Sequence, residues 1–380
     1  MYRAVLKSLK TGLKGIFRTR CLSPLPALLL AASAALVHAQ PQVLEKELWP
    51  AALDDQVLLK GSEYVDLEIA VVVFESGLVD ADERDARYKV REVESRLAAS
   101  RLRDVMTASG RFGAVRVLPR VSAFAAVTVS GKIVHSDGRD FVLEVQVVDA
   151  EGRVWLQQTY RAAATLDDYL NTEKEPFDSM FIAITNAIWS EASLLTSEQV
   201  TRLNAVAQLR YAQGLVPEWF NDYLVEREGR RFLQRLPAVG DPMIERIKRV
   251  RNQEALFIDT VDEQYVTLRD RLGPTYRLWR RSSLEQALYL ESYQQRASER
   301  TIAADRGSFA AMQQIYSTYR SVRIQEQDLF ELATGFDNET APTVMASGET
   351  LVRLEGTLEQ QYTQWRDLLA RIIRLERDVK

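Results

Sequence analysis

Eight residues, Leu67-Glu68-Ile69-Ala70-Val71-Val72-Val73-Phe74, form an almost unbroken apolar run. A run this short and this rich in β-branched residues reads as a strand covered on both faces, which requires neighbouring strands and packed helices. The next segment, from about Asp85 to Ser109, carries Val90, Val93, Leu97, Ala98, Leu102 and Val105 at helical spacing. Gly110 stands where that helix should stop. Four β-rich runs follow: Ala114 to Leu118, Val127 to Val134, Phe141 to Val147 and Val154 to Tyr160. Ser136-Asp137-Gly138 and Asp149-Ala150-Glu151-Gly152 supply hairpin turns. Phe141, Leu143, Val145 and Val147 alternate with Glu144 and Gln146, which predicts one buried and one wetter face. The expected class is α+β, with an amino-terminal antiparallel or mixed β-sheet and packed helices.

Beyond a polar joint at Asn171 to Pro176, Phe177, Phe181, Ile184 and Ile188 mark a helix. Thr196 with Gln199 forms a capping box for another that ends near Gly214. Asp241 and Pro242 are an N-cap and first-turn pair. Ile247, Val250, Ile258, Val261, Tyr265, Leu268 and Leu272 then keep helical spacing until Gly273-Pro274, where a break is expected. A second helix is predicted over Tyr276 to Ala297, and a third carries Phe309, Met312, Tyr316, Tyr319 and Phe330. Gly335 to Gly348 reads as a loop, and a last helix holds Leu351, Leu354, Leu358, Trp365, Leu369 and Ile372. These stripes predict an elongated all-α, coiled-coil-like helical bundle that buries them by antiparallel packing. The expected partition is residues 65–213 for the α/β module, 214–240 for a joint and 241–380 for the bundle.

The first 39 residues read as a secretory signal. Arg3, Lys7, Lys10, Lys14, Arg18 and Arg20 precede an apolar run from Leu22 to Val37, and Val37-His38-Ala39 offers small residues before a cleavage point at Gln40. Residues 40–64 are expected to be a loosely held arm, because Pro50 interrupts the helical spacing of Leu44, Leu48, Trp49 and Leu53. Cleavage would remove six of the 49 basic residues and none of the 53 acids, leaving 43 against 53, a net charge of −10. It would also remove Cys21, the one cysteine, and leave His135 as the one histidine. An acidic mature chain argues against nucleic acid as a partner. A periplasmic protein, possible as an oligomer and membrane-associated if the amino-terminal segment is retained, is the expectation.

Three segments carry a likeness to a known family: Ile69-Ala70-Val71-Val72-Val73-Phe74, Val127-Thr128-Val129-Ser130-Gly131-Lys132-Ile133, and Val147-Val148-Asp149-Ala150-Glu151-Gly152-Arg153-Val154-Trp155. Residues 65–165 resemble the amino-terminal α/β domain of TolB and of CsgG-like bacterial envelope proteins. The resemblance implies an envelope assembly or interaction module with no catalytic residues to carry over. No lipobox cysteine and no β-propeller repeat accompany it.

Residues with chemical potential are few. His135 lies beside Ser136 and Asp137, but a triad needs convergence in space, and an exposed turn histidine is the plainer reading. Asp80, Asp82, Glu83 and Asp85 form a carboxylate cluster, yet Asp85 and Arg91 stand where a calcium loop needs glycine and glutamate. No phosphate-cradling glycine pattern occurs, so no cofactor or metal is expected. Arg227, Arg230, Arg231, Arg235, Arg246, Lys248, Arg249 and Arg251 form a basic stretch interspersed with acids, and Trp219, Phe220 and Tyr223 lie beside it. The sequence points to a non-enzymatic envelope scaffold with a protein partner in an outer-membrane or secretion and assembly complex. The alternative is a binding protein for an anionic lipid or glycan, using Arg230, Arg231, Arg249 and Trp219 in a groove between the halves. A third reading, a carboxylate-based hydrolase, has no carboxylate pair to name.

Overall fold

The computed structural model describes residues 49–61, 63–78, 86–171, 175–299, 308–339, 342–347 and 350–375. The signal segment, the first part of the arm and the Asp80 to Asp85 cluster lie outside the described residues. The apolar run becomes β1 (Ile69–Val72), buried along its whole length. It lies inside a five-stranded sheet with β2 (Val115–Leu118), β3 (Val127–Ser136), β4 (Asp140–Asp149) and β5 (Val154–Ala163), in the order β2-β1-β3-β4-β5. β1 runs parallel to both β2 and β3, and β3, β4 and β5 form an antiparallel meander. Parallel β1 and β2 need a crossover, which α1 (Ala86–Ser109) provides. Gly110 ends α1 at φ +68°, a conformation that glycine adopts without strain.

One irregularity decides which side chains the sheet presents. Pairing passes from Ile133 to His135 without Val134. This β-bulge shifts the alternation by one residue. Ser136, paired with Phe141, therefore takes the helix-covered face that an unbroken strand would give to His135.

Both sheet edges are occupied. At β2, the Val117 N–H donates to the Asp262 carboxylate at 3.2 Å. At β5, the Leu53 N–H donates to Arg161 O at 2.9 Å. Asn186 grips the same amino-terminal segment, accepting from Leu59 N–H at 3.0 Å and donating to Val57 O at 2.9 Å. The arm is therefore pinned over its described length rather than loosely held, and these contacts blunt the edges against strand addition.

After α2 (Leu166–Leu170), α3 (Asp178–Ala192), α4 (Ser197–Leu215) and α5 (Pro217–Phe220) comes a hairpin of β6 (Leu224–Arg227) and β7 (Arg230–Leu233). The capping box at Thr196 and Gln199 forms as expected. The fold is α+β, with two departures in its carboxy-terminal half. First, the expected break at Gly273-Pro274 is absent: α6 runs unbroken over Pro242–Glu299, 58 residues with Pro274 inside. An interior proline costs about 3 kcal/mol. Burial of Leu268, Leu272, Trp279 and Leu284 on either side holds the helix together against that cost. Second, the half is not all-α. Between α7 (Ser308–Glu339) and α8 (Leu358–Leu375), β8 (Thr343–Ser347) and β9 (Thr350–Leu354) pair as an antiparallel hairpin: β8 forms within the stretch expected to be a loop, and β9 takes Leu351 and Leu354 out of the expected last helix, which begins only at Leu358. Their β-branched residues suit a half-buried ribbon, with Met345 opposite Val352.

One apolar core contains Leu67, Val117 and Ile184 together with Leu268, Trp365 and Ile373. Within it Glu254 is fully buried and accepts from Tyr211 Oη at 2.7 Å and Tyr362 Oη at 2.9 Å, joining α4, α6 and α8.

Candidate functional site

The bulge at Val134 sets Ser136 into a buried polar cluster that fastens α6 to the sheet. Arg280, on α6, donates to Glu94 Oε1 at 2.8 Å, Ser136 Oγ at 2.5 Å, Asp137 O at 2.6 Å and Tyr276 Oη at 2.6 Å. Tyr276 Oη and Ser136 Oγ donate in turn to the same Glu94 oxygen at 3.0 and 2.7 Å. Arg280 and Glu94 have side-chain exposures of only 3% and 1%. The rings of Phe177, Phe141 and Tyr276 stand 4.6–5.1 Å from the guanidinium carbon. Phe177 adopts φ +73°, an uncommon left-handed geometry for a side chain of its size. Burial works against the Arg280 charge, but Tyr276, Glu94 and Tyr169 outweigh it and hold the guanidinium above its ordinary range. With its donors engaged in this way, the cluster acts as a clamp.

Carboxylates converge where the sequence singled out none. Asp104, Asp259, Asp262 and Glu263 line a cleft of about 530 Å³ beside Arg103 and Val115. Arg103 and Arg269 pair with Asp104, and Arg116 pairs with Asp259 at 2.6 Å. Burial pushes the Asp262 carboxyl up to about 7, against the opposing pull of Arg103, the Val117 N–H and Arg116, while Asp259 adds to the rise. A carboxyl that holds its proton more tightly when folded stabilises the fold at low pH and loses that contribution as pH rises through about 7. Asp262→Asn keeps an acceptor for the Val117 N–H and removes the titration. Its stability relative to wild type should rise between pH 5 and pH 8, by roughly 2–4 kcal/mol. Urea unfolding at the two pH values checks this, and parallel wild-type and variant profiles would contradict it.

Of the residues named from sequence, Ser136 and the Asp137 carbonyl belong to the clamp, and His135, Arg230, Arg231, Arg249 and Trp219 lie apart from both clusters. His135 Nε2 is 3.0 Å from Asp137 Oδ2, and its ring lies 4.5 Å from that of Trp49. Ser136 points instead to Glu94 and Arg280, so the three consecutive residues form no triad. Burial would raise the Asp137 carboxyl, but bonds from His135 and from the Asp140 and Arg139 N–H groups bring it down to about 2. Arg230 and Arg231 belong to β7, Arg249 is exposed on α6, and Trp219 is half-buried against the core. None of the four lines the acidic cleft or the clefts beside Arg251 and Ile244.

The largest departure from expectation lies where α6 and α7 pack together. Trp279 on α6 meets Val322 and Leu329 on α7 and Val90 on α1. Further out the stripes are uncovered: Met312 is 65% exposed and Tyr316 66%, and Tyr319, Leu290 and Tyr293 are also exposed. The spacing 312, 316, 319, 323 places Met312, Tyr316, Tyr319 and Arg323 on one helix face. Arg323 Nε donates to Tyr319 Oη at 3.0 Å and anchors to Glu326 at 2.7 Å, which orders the inner end of the stripe. The eight residues from Met312 to Tyr319 include no charged side chain. Tyrosine, methionine and arginine are enriched at interface centres.

No family model and no curated protein matches the chain. Among solved structures, a PelC dodecamer from Paraburkholderia phytofirmans is similar at 14% identity, covering 37% of this chain and 93% of that one, with a TM-score of 0.20.

Proposed function

We propose that this chain is a non-enzymatic interaction or scaffold protein of the bacterial cell envelope, exported to the periplasm, whose α6–α7 arm docks a protein partner. The observation that carries this reading is the Met312, Tyr316 and Tyr319 stripe, exposed on a helix whose inner half is packed on the module. The clamp at Arg280 supports it, since a docking arm transmits position only if its base is fixed. The resemblance of residues 65–165 to envelope assembly modules agrees with such a role.

A photo-crosslinking residue in place of Tyr316, in intact cells, is expected to give one discrete adduct containing a protein partner. The same residue in place of Leu194, exposed at the end of α3, should give none. Met312→Ser with Tyr319→Ser should weaken recovery of that partner about tenfold or more, the loss expected from removing central interface anchors. Absence of an adduct at 316, or undiminished recovery in the double variant, would overturn the reading.

A further inference from the structure

The β6–β7 hairpin separates its charges by face. Glu226 opposite Arg231 and Leu224 opposite Leu233 share one side of the ribbon. That side is tied down: Leu224 is buried, Arg231 pairs with Glu226 at 3.3 Å, and the Arg231 N–H donates to Glu151 O at 2.7 Å. The other side carries Val225 opposite Phe232 and Arg227 opposite Arg230, with no acid among them. Phe232 is 44% exposed, and the Arg230 guanidinium lies 5.5 Å from its ring. The chain then exposes Leu236 at 64% and leaves Val239 wholly in solvent. Arg235 stands over the Tyr223 ring at 4.4 Å and 3.9 Å from the exposed Asp222 carboxylate, a surface pair weak enough for a phosphate to displace. Behind the hairpin, burial first and then the nearby Arg231 charge bring the Arg210 guanidinium down to about 10, against the opposing pull of Asp149 and Glu226.

The hairpin is also rigid. Glu228 and Gly229 both take positive φ, 52° and 74°, the geometry of a tight two-residue turn. Gly152 admits the Gly229 carbonyl, which a side chain would meet at 2.6 Å. A preformed element that displays aromatic and aliphatic side chains between arginines is matched by a surface with anionic groups outside and hydrocarbon beneath. A soluble anionic glycan would use the arginines and leave Phe232, Leu236 and Val239 unexplained.

We propose that the β6–β7 hairpin and the loop to Val239 dock on a bilayer bearing anionic phospholipid, with Phe232, Leu236 and Val239 in the headgroup region and Arg227, Arg230 and Arg235 on phosphates. This is a second surface, separate from the arm, and it replaces the groove between the halves as the place where an anionic lipid would be met.

The test uses the full chain with Cys21→Ser and a single labelling cysteine, Val239→Cys, carrying a polarity-sensitive fluorophore. Emission should move to shorter wavelength with vesicles of phosphatidylcholine and phosphatidylglycerol and stay unchanged with phosphatidylcholine alone. A label at Leu194→Cys should not respond, which separates this docking from any anchoring elsewhere in the chain. Arg227→Glu with Arg230→Glu should weaken the response at 239 about tenfold or more. No shift on anionic vesicles, an equal shift at both label positions or on phosphatidylcholine alone, or an unaffected double variant would each overturn the proposal.

Discussion

Arg280→Met is expected to destabilise the chain by about 3–5 kcal/mol, the cost of leaving a buried carboxylate without its charge partner. Methionine fills much of the same volume, so the loss reports polar partners rather than packing. Glu94 is 1% exposed and receives bonds from Arg280, Ser136 and Tyr276 on one oxygen, so the arginine is its principal compensation. Arg91 lies 3.1 Å from the other Glu94 oxygen and should cap the loss near the lower end of that range. Glu94→Met in the same background should restore part of the stability, because an apolar pair has no charge to strand. Urea unfolding of the two single variants and the double variant forms the cycle. Additive losses would mean that the two residues do not act as one clamp.

The second large effect is steric. A Cβ at Gly138 would stand 2.1 Å from Arg280 O and 2.3 Å from Leu284 N, backbone atoms at two buried positions of α6 that cannot rotate aside as a side chain could. Gly138→Ala should therefore force the β3–β4 turn away from α6, at about 2–4 kcal/mol, within the range of severe single substitutions. Gly214→Ala is the matched control: nothing stands within 4 Å of its Cβ, and alanine in that helix should be neutral or stabilising by ~0.5–1 kcal/mol. Hydrogen exchange locates the damage. In Gly138→Ala, amides around Tyr276 to Leu288 should lose protection while those of β3 and β4 keep it. Uniform loss across the sheet would show that the turn supports the strands rather than the docking of α6.

Much of the sheet was legible, because period-two alternation and turn residues are local signals. The β-rich runs and the helix before them occupy the expected stretches. What could not be read is what one residue or one distant contact decides. Nothing in Val134-His135-Ser136 announces a bulge, so the residue that reaches the clamp could not be chosen. The local cost of Pro274 predicts a break, which the packing of Leu272 and Trp279 overrides. Arg280 and Glu94 lie 186 residues apart, and only folding brings them together. Met312, Tyr316 and Tyr319 show the opposite limit: their spacing predicts a face, but spacing is the same whether a helix of this chain or another molecule covers it.

The shared core has a consequence for the order of events during folding. Tyr362, Trp365, Leu369 and Ile373 on α8 are fully enclosed, and Tyr362 supplies one of the two hydroxyls that accommodate Glu254. Those residues lie far downstream of Leu67 in the chain, and they complete an interior that begins there. Such sequence-distant closure is slow, because loop entropy is spent before any contact rewards it. The apolar strands must therefore wait uncovered until α8 closes over them, a period in which a holding chaperone would matter more than for a domain that closes locally.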